Sequence, residues 1–71
     1  MNAPKYKQPL DPKVALWANA LDEAAREFFE ERAAIREFES NEPRQLAELN
    51  AQIETQQFLA RRNASAENQP R

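Results

Sequence analysis

The chain has 71 residues with a formal net charge of −2, and it contains no cysteine, histidine or glycine. It can form no disulfide, and it lacks the side chain that most often binds metals or acts as a general base. It also contains no P-loop, nucleophile motif or zinc-ligand spacing. We therefore expect no enzyme, metal site or cofactor. A chain this short is marginally stable alone, so oligomerisation or a partner is the remaining source of stability.

The composition predicts an all-α protein, because Ala, Glu, Gln, Arg and Leu dominate. No apolar stretch approaches the ~20 residues that span a bilayer. A signal peptide has an apolar segment after its basic residues, and no such segment follows Lys5 and Lys7. These features predict a cytoplasmic protein that does not enter a membrane.

The first element is an extended arm over residues 1–11, which carries Pro4 and Pro9. Asp11 and Pro12 then form a strong helix start, with aspartate as N-cap and proline at the first helical position. No helix-breaking residue occurs between Pro12 and Ser40. The sequence therefore predicts one long helix over residues 12–40.

A second helix is predicted over residues 43–62, after a break marked by Pro43. Asn41 is the favoured left-handed residue in a chain without glycine. Residues 12–63 then form a helical hairpin, and residues 64–71 form a disordered polar tail. Because the connection is short, we expect the two helices to pack antiparallel.

Apolar residues recur every three or four positions along the first helix, as in a coiled coil. This seam consists of Leu10, Val14, Trp17, Leu21, Ala24, Phe28, Ile35 and Phe38, and Glu31 interrupts it. The second helix carries the facing seam, Leu46, Leu49, Ile53 and Ala60. The antiparallel register places Leu46 against Phe38, and it places Arg61 and Arg62 beside Asp22 and Glu23.

The first seam is longer than the second helix can cover, because that helix ends opposite Leu21. Leu10, Val14, Leu16 and Trp17 lie beyond its reach. Burying such side chains stabilises by roughly 1.5–3 kcal/mol each. We therefore expect a homodimer with four helices, or a groove on another protein, to cover them. Phe29 and Phe58 lie off the seams beside small alanines, Ala18, Ala25, Ala33, Ala47 and Ala51, and predict a further helix-binding surface.

The polar residues leave alternatives open. The acids Glu23, Glu27 and Glu30 are favoured as a solvated helix face, because helical metal sites normally include histidine. Glu31 either sets the register of the core or marks the surface. Gln56 and Gln57 are either a polar patch or a specificity device in an oligomer.

Two segments resemble known families. Residues 28–38, Phe-Phe-Glu-Glu-Arg-Ala-Ala-Ile-Arg-Glu-Phe, resemble a phrase of small proteins from bacterial phages and mobile elements, although Glu39-Ser40-Asn41 replaces their Asp-Gly-Gly turn. Residues 40–49, Ser-Asn-Glu-Pro-Arg-Gln-Leu-Ala-Glu-Leu, are similar to the turn and second helix of type III secretion needle subunits. Those subunits continue with a long apolar helix, which this chain replaces with a polar tail.

The function predicted from the sequence is a non-enzymatic interaction module, a phage-type regulator or inhibitor that binds a bacterial protein. The predicted interface residues are Leu10, Val14, Trp17, Leu21, Phe29 and Phe58. A DNA-binding regulator is an alternative, but nucleic acid is disfavoured because the basic residues are dispersed. A helical-hairpin subunit or co-chaperone of a secretion assembly is the other alternative.

Overall fold

The computed structural model describes the backbone of residues 7–68 and the side chains of residues 7–65. This part of the chain forms three helices, which confirms the all-α prediction. They are α1 (Pro12–Asn19), α2 (Glu23–Phe38) and α3 (Arg44–Asn68). Helices α2 and α3 pack lengthwise and antiparallel, and α1 packs on both of them.

The predicted continuous helix over residues 12–40 is wrong, because the chain breaks between Asn19 and Glu23. Asp22 has extended backbone angles and acts as the N-cap of α2, where its side chain accepts the Ala25 N–H at 2.9 Å. Aspartate favours such a local bond over an unbroken helix. The Leu21 N–H still bonds to the Ala18 carbonyl at 3.2 Å, which makes the break a tight one.

The other predicted helix boundaries are met in part. Asp11 caps α1 by accepting the Lys13 N–H at 2.8 Å, and Asn41 has the predicted positive φ of 54°. Helix α3 continues to Asn68, through residues that the sequence assigned to a disordered tail. Residues 1–6 of the predicted arm and residues 69–71 of the predicted tail lie outside the described part.

The core forms where α1 folds back onto α2 and α3. Its buried centre is Val14, Ala18, Phe29 and Ala51, with Trp17, Leu21 and Ala33 packed around it. Trp17 meets Phe29 edge to face, with ring centroids 5.4 Å apart, a favourable aromatic geometry. The alanines allow the helices to approach closely. The helix-binding surface predicted beside Phe29 is thus occupied, and its occupant is the chain's own α1.

Much of the predicted hairpin core lies at the surface, which corrects the sequence-based assignment, although Phe28 and Ile35 are half-buried. Phe38 is 76% exposed, and Leu46, Leu49 and Ile53 are 46%, 37% and 53% exposed. The physical reason is the third helix. Once α1 turns back, the most extensive burial is available on the Phe29 face of α2, so Phe38 and the apolar side chains of α3 that were predicted to face it remain at the surface.

A charged network also joins α2 to α3, beside the stacked rings of Phe28 and Phe58. The Glu54 carboxylate accepts hydrogen bonds from Arg32, at 2.6 Å, and from Arg36, which also bonds to Glu42 at 2.9 Å. The bonds from Arg32 and Arg36 lower the pKa of Glu54. The pKa of Glu42 is also lowered, first by the Asn50 amide and then by Arg36. This network keeps both carboxylates charged at the helix interface.

Two phenylalanines of α2 provide a matched test of this core. We predict that Phe29→Ala lowers the free energy of unfolding by about 3–5 kcal/mol, because it empties a buried site. Phe38→Ala, on the exposed side of the same helix, should change it by no more than about 0.5 kcal/mol. Urea unfolding followed by far-UV circular dichroism measures both. The reverse order of effects would support the predicted hairpin core instead.

The cap at the break is testable with Asp22. We expect Asp22→Ala to destabilise the fold by about 1 kcal/mol, because α2 loses the acceptor for the Ala25 N–H. Asp22→Asn retains that acceptor and weakens only the exposed ion pair with Arg62, so its effect should be smaller. Thermal unfolding of both variants gives the comparison. Equal destabilisation by Asp22→Ala and Asp22→Asn would show that the N-cap hydrogen bond does not contribute to the stability of the fold.

Acid should weaken the fold through the network at Glu54. Its folded pKa lies below the ordinary value of 4.5, so the folded state binds fewer protons than the unfolded state near that value. The stabilisation is present above about pH 4.5 and is lost as the pH falls through the lowered pKa. Glu54→Gln, which does not titrate, should show a smaller loss between neutral and acidic pH in urea unfolding. An unchanged pH dependence would contradict this role of Glu54.

Candidate interaction surface

The structure distributes the six predicted interface residues between core and surface. Val14 and Phe29 are buried, with 2% and 1% of their surface exposed. Trp17, Leu21 and Phe58 are half-buried, and Leu10 is 54% exposed. The premise that nothing in the chain covers Trp17 is therefore wrong, because Phe29 contacts it directly. Contact of the half-buried residues with a partner stays a prediction.

Phe58 packs mainly within the chain. Its ring stacks on Phe28 with centroids 4.5 Å apart and planes 11° apart, and the Arg62 guanidinium lies 5.7 Å from its centroid. Arg62 also pairs with Asp22 at 2.8 Å, as the predicted register requires. This cluster holds the middle of α3 against the start of α2, and it lowers the pKa of Asp22 through the Arg62 hydrogen bond.

The last residues before α1 are held by α3. Glu48, which is 8% exposed, accepts the Leu10 N–H at 2.9 Å and the Arg44 guanidinium at 3.2 Å. Arg44 also donates to the Gln8 carbonyl, and the Gln8 side chain accepts from Asn19 at 2.8 Å. The exposed Leu10 thus belongs to an arm segment that is fixed to the bundle. Sequence reasoning missed Glu48, because its partner is a backbone N–H far away in the chain.

The surface that stands out lies on the side of α3 away from the core. Ala47, Ala51 and Thr55 form the buried stripe of this helix. Residues on the opposite side of the same helix form what we term the α3 outward face, namely Gln45, Leu46, Leu49, Gln52, Ile53, Gln56, Gln57 and Ala60. All of them are exposed except Gln52, which is half-buried. Large apolar side chains therefore lie in a row along the solvent-exposed side of α3.

The α3 outward face carries no charge, although 31% of the residues of the chain are charged. Between Gln45 and Ala60 the only charged residues are Glu48 and Glu54. Both point inward and are bonded to arginines of the bundle. The exposed side of α2 differs, since it carries Glu23, Glu27 and Glu31. Depletion of charge around exposed apolar side chains is typical of interface cores.

Other kinds of site find less support in the described residues. A shallow groove of about 120 Å³ lies between Lys7, α2 and α3, and Glu30, Glu37 and Arg44 are among its lining residues. Pockets for small molecules usually exceed about 300 Å³. Among the described residues no three potential ligands lie close enough together to hold a metal ion, and no helix there has the length and apolar character needed to cross a membrane.

Comparisons with known proteins do not add to these observations. The chain matches no protein-family model, no curated protein and no solved structure. The resemblances to phage and secretion proteins therefore depend on the two sequence segments alone.

The sequence left open the roles of three polar residues, Glu31, Gln56 and Gln57. All three are exposed, which favours the surface alternative for Glu31.

Proposed function

We propose that this chain is a small non-enzymatic protein-interaction module that binds through the α3 outward face. The observation that carries the proposal is the exposure of Leu46, Leu49 and Ile53 on a helical face without charge. A solvated helix normally surrounds such residues with charged side chains. Here the charged side chains of the same helix segment turn inward, so the face suits contact with protein better than contact with water.

The binding partner that fits this face is an apolar helix or groove. Leu46, Leu49 and Ile53 follow a spacing of three and four, which is the pattern of helix-in-groove recognition. Gln45, Gln52, Gln56 and Gln57 surround them and can donate and accept hydrogen bonds at the rim. The resemblance of residues 28–38 to phage and mobile-element proteins implies an origin of that kind and no activity. Regulation or inhibition of a bacterial protein is the context that we propose.

The DNA-binding alternative has weaker support. The exposed acids Glu23, Glu27 and Glu31 would repel phosphates along the outer side of α2. The arginines of the same helix, Arg26, Arg32 and Arg36, are engaged by Glu30, Glu54 and Glu42. A basic surface of the kind that follows a nucleic-acid backbone is therefore not formed by α2.

Affinity capture from a bacterial lysate tests the proposed function. The bait is the tagged chain beside two variants that place the same charge at exposed leucines, Leu49→Glu on the α3 outward face and Leu16→Glu on α1. We expect a specific protein to be retained by the wild type and by Leu16→Glu, and to be lost with Leu49→Glu. A charge at the centre of an apolar contact is costly to bury.

The control is helicity, because both substitutions lie at exposed positions and should leave the fold intact. Leu16 is 76% exposed and Leu49 is 37% exposed. Circular dichroism should show equal helix content in all three proteins. Capture of the same proteins by the wild type and Leu49→Glu would contradict the use of this face.

A further inference from the structure

We infer that the α3 outward face pairs with the same face of a second copy of this chain, with the two α3 helices antiparallel and crossing between Leu49 and Ile53. This inference rests on the proposed function, since it names the partner of the same surface. The sequence predicts a dimer around Trp17, whose ring the chain itself covers in part through Phe29. The dimer inferred here uses a different side of the molecule.

The first argument is electrostatic. In a two-fold symmetric contact each surface patch meets its own copy, so any net charge on the patch repels itself. The α3 outward face is neutral from Gln45 to Ala60 and avoids this repulsion. The outer face of α2 would instead bring Glu23, Glu27 and Glu31 towards the same acids of the second copy. Among these two helix faces, only that of α3 is compatible with itself.

The second argument is the order of residues along the face. An antiparallel crossing between Leu49 and Ile53 places Leu49 of one copy beside Ile53 of the other, twice by symmetry. Leu46 then packs near Gln56 of the second copy, and Gln45 near Gln57. The apolar side chains thus meet at the centre, and neutral amides lie at both ends. A central apolar contact with a polar rim is the usual anatomy of a protein interface.

The size of a standard interface and the length of this face set the scale of such a contact. A standard interface takes about 800 Å² from each partner, which is about 15% of the 5319 Å² surface of this chain. The stretch from Leu46 to Ala60 is about 21 Å long at 1.5 Å per residue.

Sedimentation equilibrium of the full chain tests the inference. The wild type should have twice the 8.2 kDa mass of one chain at high micromolar concentration. Leu49→Glu should sediment as a monomer, because it places two acids in the centre of the contact. Leu16→Glu adds the same charge outside the face and should remain dimeric. A wild-type mass of 8.2 kDa up to millimolar concentration would overturn the inference.

A charge pair tests the antiparallel register. Leu49→Lys and Ile53→Glu should each be monomeric alone, since each buries two uncompensated charges in its homodimer. In a one-to-one mixture the inferred crossing places the new lysine beside the new glutamate, so the mixture should regain the dimer mass. A mixture that stays monomeric while the wild type dimerises would overturn the antiparallel register, and circular dichroism confirms that each variant remains helical.

The outcomes separate this inference from the proposed function. If the wild type is monomeric and captures a protein that the Leu49→Glu variant does not capture, the dimer is overturned and the proposed function stands. If the wild type is monomeric and Leu49→Glu captures the same proteins, both the dimer and the proposed function are overturned. A dimer that Leu49→Glu dissociates and Leu16→Glu does not supports both, because the second copy is then the protein that occupies the face.

Discussion

The fold depends on the capped break at Asp22. By accepting the Ala25 N–H, this aspartate ends the path of the first helix and starts α2 in a new direction. The turn brings α1 back along α2, so that Trp17 contacts Phe29 and Val14 joins the core. Without that break the chain could form only a long hairpin, and a third helix would be missing from a domain that is already small. Asp22 also forms an exposed ion pair with Arg62, which links the start of α2 to α3.

The position of α1 decides which side of α2 and α3 becomes the interior. The interior receives Phe29 and a stripe of alanines, which allow the three helices to approach closely. The more apolar stripe of α3, with Leu46, Leu49 and Ile53, is left on the opposite side. Its neighbours Glu48 and Glu54 turn inward, where they hold the arm and α2. The same event therefore builds the core and creates an uncharged apolar surface.

Local features of this fold could be predicted from the sequence. The cap at Asp11 and the positive φ of Asn41 follow from side-chain chemistry within a few residues, and the Asp22–Arg62 pair follows from an antiparallel register. The break could not be predicted from the apolar spacing, because that spacing continues through it and aspartate is also tolerated within helices. Packing against α1 decides which of the two faces of α2 is buried. The apolar spacing along the sequence could not show this, because its period is the same for both faces. The surface of α3 was misassigned to the core for this reason.

The most direct test of this account is a nuclear Overhauser measurement between the rings of Trp17 and Phe29 in the isotope-labelled chain. The account predicts strong cross-peaks within one chain, because the ring centroids lie 5.4 Å apart. In a continuous helix these residues would be about 18 Å apart along the axis, and no such cross-peak could arise within the chain. Mixing labelled and unlabelled protein separates contacts within a chain from contacts between copies. Absence of the intrachain cross-peak, with helical connectivities running unbroken through residues 20–22, would contradict the account.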